Sequence, residues 1–202
     1  MPLWLDSRPL VLASKSASRR ALLEAAGIPV EIHPADVDER GIEASAGRDD
    51  PGEVAALLAR AKAKTVAAGM PGRLVLGADQ TLALGSRRVS KPKDRAAAAD
   101  QLRALRGNIH ALHSAVALAR DGAIVYEQVD TARLTMRAFS EEFLQSYLDA
   151  AGPAVTASVG AYQLEGLGVQ LFERVEGDHS TILGLPLLPL LAWLRKAGLL
   201  AG

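Results

Sequence analysis

The segment from Pro9 to Glu24 passes from a short apolar strand through polar residues into an apolar helix that carries an arginine pair. A strand that turns directly into a helix places the chain among folds that mix the two elements. The polar residues are Ser14, Lys15 and Ser16, and the pair is Arg19 and Arg20. Free backbone N–H groups at the start of the helix face the same point as these side chains, which predicts a site for an anion such as phosphate. A serine-capped surface helix with two solvated arginines explains the same pattern.

Alternating and β-branched residues predict strands, and apolar residues at helical spacing predict helices between them. Strands are expected near Leu10–Ala13, Val30–His33, Leu74–Ala78, Thr81–Leu84, Ala111–Ala119, Ile124–Met136 and Gly168–Val175. Helices are expected over Ala17–Ala26, Pro51–Ala68, Asp94–Leu105, Ser140–Ala150 and Leu187–Ala197. Because the two kinds of element intermingle without a strict repeat, we expect an α/β or α+β fold with a mixed sheet rather than a barrel.

Length, charge and cysteine content narrow the possible environments of the chain. Its 202 residues suit one domain, or one domain of two lobes. Lys plus Arg equals Asp plus Glu at 23 each, so we expect no nucleic-acid or membrane partner. The absence of cysteine excludes disulfides and thiolate metal sites, and it fits a reducing compartment. Since Asp6 and Arg8 interrupt the start and no apolar run is long enough for a membrane helix, a cytoplasmic protein is predicted.

A carboxylate follows a predicted buried strand at Leu74–Asp79. Open α/β proteins keep their sites at the carboxyl ends of strands, where such a group holds Mg²⁺ or orients water. Asp79 could instead start a turn or pair with a lysine. A predicted hairpin through Gly85 would return Lys91 towards Asp79, although Lys-Pro is also an ordinary entry to a helix.

Further charged residues are candidates for the same site. Lys62 lies among alanines that would let another element approach closely, but a solvated lysine is the commoner case. The acidic residues Asp36, Asp38 and Glu39 could share Mg²⁺ or Mn²⁺ with Asp79, or simply stay hydrated. The four histidines lack zinc-motif spacing and are expected to be structural or exposed.

Two late segments have no single interpretation. The glycine-rich turn at 160–168 carries Gln163 and Glu165, which could recognise a base or ribose, but it lacks the strand-to-helix setting of a dinucleotide fingerprint. The segment at 176–187 contains Ser180 and Thr181, which could be helix caps or phosphate donors. Capping is the expectation for both hydroxyls.

Six short motifs occur in order along nearly the whole chain, and together they resemble the Maf family of nucleoside triphosphate pyrophosphatases. They are Ala-Ser-x-Ser with Arg-Arg at 13–20, Leu-Ala-Arg-Ala-Lys-Ala at 58–63, Gly-Ala-Asp at 77–79, Lys-Pro at 91–92, Glu-Gly-Leu-Gly at 165–168 and Gly-Leu-Pro-Leu at 184–187. Six motifs in register are far more specific than any one of them.

The resemblance implies a single Maf-like domain of two lobes over residues 1–202. Its fold would be α/β, with a mixed, elongated and twisted sheet flanked by helices and a central cleft between the lobes, as in Maf and ITPase-like proteins. The implied activity is hydrolysis of a nucleoside triphosphate to a monophosphate and pyrophosphate, with Mg²⁺ or Mn²⁺ as cofactor. A homodimer is also implied.

The resemblance carries functional roles onto particular positions of this sequence. Catalytic roles fall on Asp79, Lys91, Lys62 and Glu39, of which Asp79 and Glu39 would hold the metal. Substrate-binding roles fall on Ser14, Ser16, Arg19 and Glu165. Ser18, Arg20 and Gln80, which neighbour these residues or Asp79 in the sequence, are predicted to bind substrate as well.

The base preference leans towards one branch of the family. In the branch that acts on dTTP and UTP, an arginine stands at the place of Ser18, threonine follows the catalytic aspartate, and glutamine replaces Glu165. Here Gln80 follows Asp79 and Glu165 is present, as in the branch similar to 7-methyl-GTP pyrophosphatase, although Ser18 and Gln163 do not reproduce that branch fully. A hydrolase for deaminated purines such as ITP and XTP is one alternative. A non-catalytic nucleotide-binding regulator of cell division is another, but a carboxylate beside the cations favours catalysis.

Overall fold

The computed structural model describes residues 2–47 and 50–202 of the chain. The strands are β1 (Leu10–Leu12), β2 (Val30–Ile32), β3 (Val75–Leu84), β4 (Arg87–Val89), β5 (Ile109–Arg120), β6 (Ala123–Met136) and β7 (Phe172–Glu176). The helices are α1 (Ala17–Ala25), α2 (Glu39–Ala46), α3 (Pro51–Ala68), α4 (Arg95–Leu105), α5 (Glu141–Ala151), α6 (His179–Ile182) and α7 (Leu187–Lys196). Short 3₁₀ turns occupy Gly152–Thr156, Val159–Ala161 and Leu167–Leu171.

The strands form one seven-stranded sheet in the order β2-β1-β3-β5-β6-β7, with β4 paired to β3. β1 runs parallel to both β2 and β3, whereas β3–β4 and β6–β7 are antiparallel. The predicted α/β class with a mixed sheet flanked by helices is therefore confirmed. Among the described residues, no helix combines the length and the apolar character that a membrane crossing needs.

The structure differs from the sequence-based expectations at three places. The strands expected at 74–78 and 81–84 are a single strand, β3, because Asp79 and Gln80 find polar partners and stay extended. The helix α2 was not foreseen, since it is only 8 residues long and contains Gly41. Residues 167–171 form a 3₁₀ turn, so the last strand starts at Phe172 rather than at Gly168.

The chain divides into two compact units, and the first contains residues 2–47, 50–80, 114–130 and 178–202. In this unit β1 is buried on both faces. Leu10 and Leu12 pack in one apolar cluster with Leu23 of α1 and Leu194 of α7, whereas Val11 joins a second cluster built on the alanines of α3. Successive residues of a strand point to opposite faces, so an unbroken apolar run is what a strand covered on both sides requires.

Helix α3 lies unusually close to β3, and Gly77 is the reason. A Cβ atom added at Gly77 would lie 2.6 Å from the backbone nitrogen of Ala63 and would also collide with the carbonyl oxygen of Ala59. The helix presents the buried alanines Ala55, Ala59 and Ala63 to the sheet. The small alanine side chains of α3 and the missing side chain at Gly77 therefore set the distance between the two backbones.

The second unit, residues 81–113 and 131–177, has an aromatic group around a buried histidine. His110 is 1% exposed, and its Nε2 lies 2.7 Å from the hydroxyl of Tyr162. The rings of Tyr162 and Phe172 meet edge-on with centroids 4.8 Å apart, while His110 Nδ1 is buried without a hydrogen-bond partner in the part of the chain that is described. Burial lowers the pKa of His110 from 6.5 to about 4.

The buried histidine predicts a stability that falls on acidification. Between pH 6.5 and 4 the unfolded chain binds a proton at residue 110 that the folded chain excludes, so the free energy of unfolding decreases as pH falls. The expected loss from this group is about 3 kcal/mol across the window. Urea unfolding at several pH values measures it, with His110→Gln as the variant that lacks the titration and His179→Gln, at an exposed position, as its control. Parallel pH profiles for the wild type and His110→Gln would show that the histidine contributes nothing.

The close approach of α3 predicts that Gly77→Ala is strongly destabilising. Its Cβ would meet backbone atoms that cannot rotate away, so we expect a loss of about 2–3 kcal/mol in the free energy of unfolding. Gly69→Ala is the matched control at the end of the same helix, because the nearest atom to its Cβ is 3.8 Å away and its φ of −90° suits alanine. Equal stability of the two variants in denaturant unfolding would contradict this account of the packing.

Candidate active site

Three charged side chains of the first unit meet at the ammonium of Lys62. Lys62 Nζ lies 2.5 Å from Asp79 Oδ1 and 2.7 Å from Glu39 Oε1. The side chains of Lys62 and Asp79 are each 12% exposed, whereas that of Glu39 is 51% exposed. The group thus has a buried ion pair with one carboxylate on its solvent side.

The packing described above explains why Lys62 reaches Asp79. Gly77 and Asp79 are two residues apart on β3, so both point to the face that α3 covers. Lys62 precedes Ala63, whose backbone nitrogen would lie 2.6 Å from a Cβ atom at Gly77. Glu39 joins the group from the first turn of α2, which Asp38 caps by accepting a hydrogen bond from Gly41 N at 3.0 Å.

A second cation, Arg19, is held by oxygen atoms of the same unit. Its Nε donates to the carbonyl of Gly184 at 2.8 Å, and its Nη1 donates to the carbonyl of Ala78 at 2.8 Å and to Ser14 Oγ at 3.3 Å. Ser16 caps α1, accepting from Arg19 N at 3.4 Å. Within the described residues Nη2 donates no hydrogen bond, so one edge of the guanidinium is available to a ligand. The two alternatives for this segment are therefore compatible, because Ser16 caps the helix while Arg19 is available to an anion.

The charges of this group shift the pKa of the central carboxyl. Burial raises the pKa of Asp79. The negative charge of Glu39 raises this pKa further, while the positive charges of Lys62 and Arg19 lower it. Burial lowers the pKa of Arg19, against the opposing pull of Asp79 and Glu39, but a guanidinium remains protonated. Lys62 donates to Asp79 Oδ1, and no group in the described part of the chain donates to Oδ2. A carboxylate with a raised pKa and a free oxygen can accept a proton from water.

The remaining predicted residues differ in how they are placed. Arg20 pairs with Glu24 at 2.8 Å on the exposed side of α1, and Ser18 is partly buried. Gln80 turns its amide inwards and donates to Ser114 Oγ at 2.9 Å. Their roles towards a substrate stay predictions.

Lys91 and Glu165 belong to the second unit, and both are exposed. Lys91 follows β4, which returns antiparallel to β3 with Val89 opposite Leu82, so the expected hairpin is present. Glu165 lies in the turn before the 3₁₀ segment Leu167–Leu171. The catalytic role of Lys91 and the binding role of Glu165 stay predictions.

Local sequence patterns did not identify the backbone oxygens that hold Arg19 and Gln80. Thr181 O and Ile182 O accept from Gln80 Nε2 at 3.1 and 3.0 Å, and Gly184 O accepts from Arg19. In the sequence, Gly184 and the hydroxyl residues Ser180 and Thr181 were the features that could have pointed to this segment.

Comparison with known proteins gives the family. The family described as Maf-like protein matches residues 9–197. The chain is 60% identical over 201 residues to a nucleoside triphosphate pyrophosphatase of Bradyrhizobium diazoefficiens, with 100% of both chains covered. It is 54% identical over 196 residues to a 7-methyl-GTP pyrophosphatase of Rhizobium etli, covering 96% of this chain and 98% of the relative. A solved structure of a dITP/XTP pyrophosphatase from Mycobacterium abscessus is only distantly alike, with a TM-score of 0.42 and 18% identity over 96% of this chain and 98% of that one. A match over nearly the whole length places the chain in the Maf family.

Proposed function

We propose that this protein is a nucleoside triphosphate pyrophosphatase, a hydrolase that cleaves between the α- and β-phosphates to give a nucleoside monophosphate and pyrophosphate. The observation that carries the proposal is the buried Asp79 carboxylate held by Lys62, with Arg19 close enough to influence its pKa. Cations suit the phosphates, whereas a carboxylate beside them serves the reaction and not the binding. The activity named for the relatives supports the same reading.

In the proposed reaction a water molecule attacks the α-phosphorus. Asp79 accepts the proton of that water as the new phosphorus–oxygen bond forms, and the bond to the departing pyrophosphate breaks. Lys62 holds the carboxylate in place, and Arg19 offers Nη2 to the phosphate oxygens. Lys91 adds a third cation, and Ser14, Ser16, Ser18 and Arg20 line the phosphate site. Preorganised donors of this kind stabilise the charge that develops on the phosphate.

A divalent cation, Mg²⁺ or Mn²⁺, is part of the proposal, and the donor set fits it. Asp79 Oδ1 and Glu39 Oε1 lie 2.5 and 2.7 Å from Lys62 Nζ, so the two carboxylates are neighbours and could share an ion beside that ammonium. Mg²⁺ is usually held by one or two carboxylates together with substrate phosphates, so no larger acidic cluster is required. The described residues contain no group of three or more acidic or histidine side chains that could hold an ion. When bound, the ion would neutralise charge on the phosphates.

We further propose a substrate with a modified guanine, such as 7-methyl-GTP. The support is the pair Gln80 and Glu165, which the related branch also has, and the relative named 7-methyl-GTP pyrophosphatase. In the same proposal the protein acts in the cytoplasm as a homodimer. The lack of cysteine is consistent with that compartment, and light scattering of the purified protein would give its mass in solution.

A pyrophosphate-release assay over a panel of nucleotides tests the activity. We expect turnover of 7-methyl-GTP above dTTP, UTP, CTP and ITP, only with Mg²⁺ or Mn²⁺ present. Preference for dTTP and UTP, or for ITP, would overturn the base assignment but keep the reaction. Tight binding of one nucleotide with no pyrophosphate released would point instead to a regulator.

The same assay tests the role of Asp79. Asp79→Asn keeps the shape of the side chain but removes the base, so kcat should fall about 10²–10⁴-fold while the circular dichroism spectrum stays native. Asp149→Asn is the control, because that carboxylate is 74% exposed and pairs with Arg95 in the second unit. Turnover of Asp79→Asn at the wild-type rate would rule the assignment out.

The acid limb of kcat/KM, with every variant assayed at the same metal concentration, should follow the pKa of Asp79. Activity requires the deprotonated carboxyl, so it is lost as pH falls through that pKa, which burial raises and Lys62 lowers. Lys62→Met removes the cation that lowers this pKa most, so the acid limb of the residual activity should move to higher pH. Lys64→Met, at an exposed position two residues along α3, should leave the profile in place. An unmoved acid limb in Lys62→Met would show that another group controls it.

A further inference from the structure

The segment Asp178–Pro186, which contains α6 and which we name the α6 turn, directs its backbone carbonyls at two residues of the proposed site. The carbonyl of Gly184 accepts from Arg19 Nε at 2.8 Å. The carbonyls of Thr181 and Ile182 accept from Gln80 Nε2 at 3.1 and 3.0 Å. The sequence patterns offered capping or phosphate donation for the hydroxyls of this segment and gave its carbonyls no role.

Side chains inside the α6 turn fix its shape. Asp178 accepts from Ser180 N at 2.8 Å and also from the hydroxyl of Ser180. That hydroxyl oxygen accepts in turn from Leu187 N at 3.3 Å, which joins the turn to the start of α7. Asp178 is therefore the cap of α6, so the predicted capping of this helix by the hydroxyls of Ser180 and Thr181 was wrong. The Ser180 hydroxyl instead joins the turn to α7.

A buried chain of hydroxyls ties the turn to the sheet. Ser114 of β5 donates to Thr181 O at 2.7 Å, and Thr181 Oγ1 donates to Asp130 Oδ2 at 2.9 Å. Ser114 and Thr181 are each 0% exposed. Buried polar groups with satisfied partners hold one arrangement, because breaking any of these bonds leaves a group unpaired.

Gly184 is the point where the turn meets Arg19, and a side chain does not fit there. Its φ is +93°, and an added Cβ would lie 3.2 Å from both Nε and Nη2 of Arg19. An L-amino acid is strained at this φ, and its Cβ would press on Nε, which Gly184 O holds, and on Nη2, which is open to a ligand. Glycine is therefore required both by the backbone and by Arg19.

We propose that the α6 turn is a positioning element for Arg19, with Gly184 as its central positioning residue and Thr181 as its anchor. This inference rests on the proposed function, because it assigns the fixed guanidinium to the phosphates of the substrate. The two carbonyls at Gly184 and Ala78 hold Nε and Nη1, so Nη2 keeps one direction before substrate arrives. A donor that is already oriented costs no reorganisation when charge develops on the phosphate.

The test compares two glycine variants that share backbone strain but differ in their neighbours. Gly184→Ala should lower kcat/KM about 10- to 100-fold, because a shift of the order of 1 Å in a binding group has that effect. Gly198→Ala is the matched control in the same unit, since its φ is +70° and nothing lies within 4 Å of its Cβ. Activity of Gly184→Ala within twofold of Gly198→Ala would overturn the proposal.

A double-mutant cycle separates positioning from a general loss of structure. In an Arg19→Lys background, which lacks the planar guanidinium, Gly184→Ala should have little further effect on kcat/KM. Full additivity of the two changes would contradict the proposal. Should Gly184→Ala fail to fold, Thr181→Val removes the anchor and should lower kcat/KM several-fold, with Thr181→Ser restoring it. Equal activity of Thr181→Val and Thr181→Ser would then count against the anchor.

The NMR signal of Arg19 Nε–H gives a readout that needs no activity. We expect slow hydrogen exchange at this group in the wild type and in Gly198→Ala, and fast exchange in Gly184→Ala. If the wild type released no pyrophosphate from any nucleotide while this pattern held, the proposed function would fail and the structural part of the inference would stand. Fast exchange in the wild type would overturn the positioning role itself.

Discussion

The ion pair between Lys62 and Asp79 is the interaction on which the rest of the site depends. A carboxylate whose side chain is 12% exposed would be very costly without a cation, since breaking a buried pair typically costs about 3–5 kcal/mol. The pair forms only because α3 and β3 approach closely, and that approach needs Gly77 on the strand and alanines on the helix. An ordinary apolar interface between a helix and a sheet would bury more apolar surface with larger side chains. The small residues between α3 and β3 are therefore best explained by the ion pair that their close approach allows.

The four charged groups of the site balance before any substrate arrives. Asp79 and Glu39 oppose Lys62 and Arg19, two against two. A triphosphate adds several negative charges to this neutral group, which raises the pKa of Asp79 further unless another cation enters. The proposed divalent ion would answer that need, so the charge balance favours binding of metal and substrate together.

Sequence patterns predicted the elements that local chemistry determines. The start of α3 at Pro51, the Ser140 cap of α5 and the strand-to-helix turn at Ser14–Ser16 each follow from residues within one turn of the chain. The middle of β3 did not follow, because a strand with Asp79 and Gln80 in its interior is possible only when partners as distant as Lys62 and Thr181 satisfy them. Local patterns contain no information about such partners, so they placed a strand end where the strand continues. The family resemblance supplied the residue types of the site but not the contacts among them.

Gly77 and Gly184 show how the short motifs of this family can be understood in physical terms. Each lies in a motif with functional neighbours, Gly-Ala-Asp at 77–79 and Gly-Leu-Pro-Leu at 184–187, and each leaves room where a Cβ would collide. At Gly77 the missing side chain lets a helix bring Lys62 to Asp79, and at Gly184 it lets a carbonyl hold Arg19. Both cations of the site are thus positioned by backbone approaches that only glycine permits. Substituting a charged residue would remove one group, whereas substituting either glycine would displace a group that is still present. The glycines therefore specify the geometry of the site as directly as its charged residues specify its chemistry.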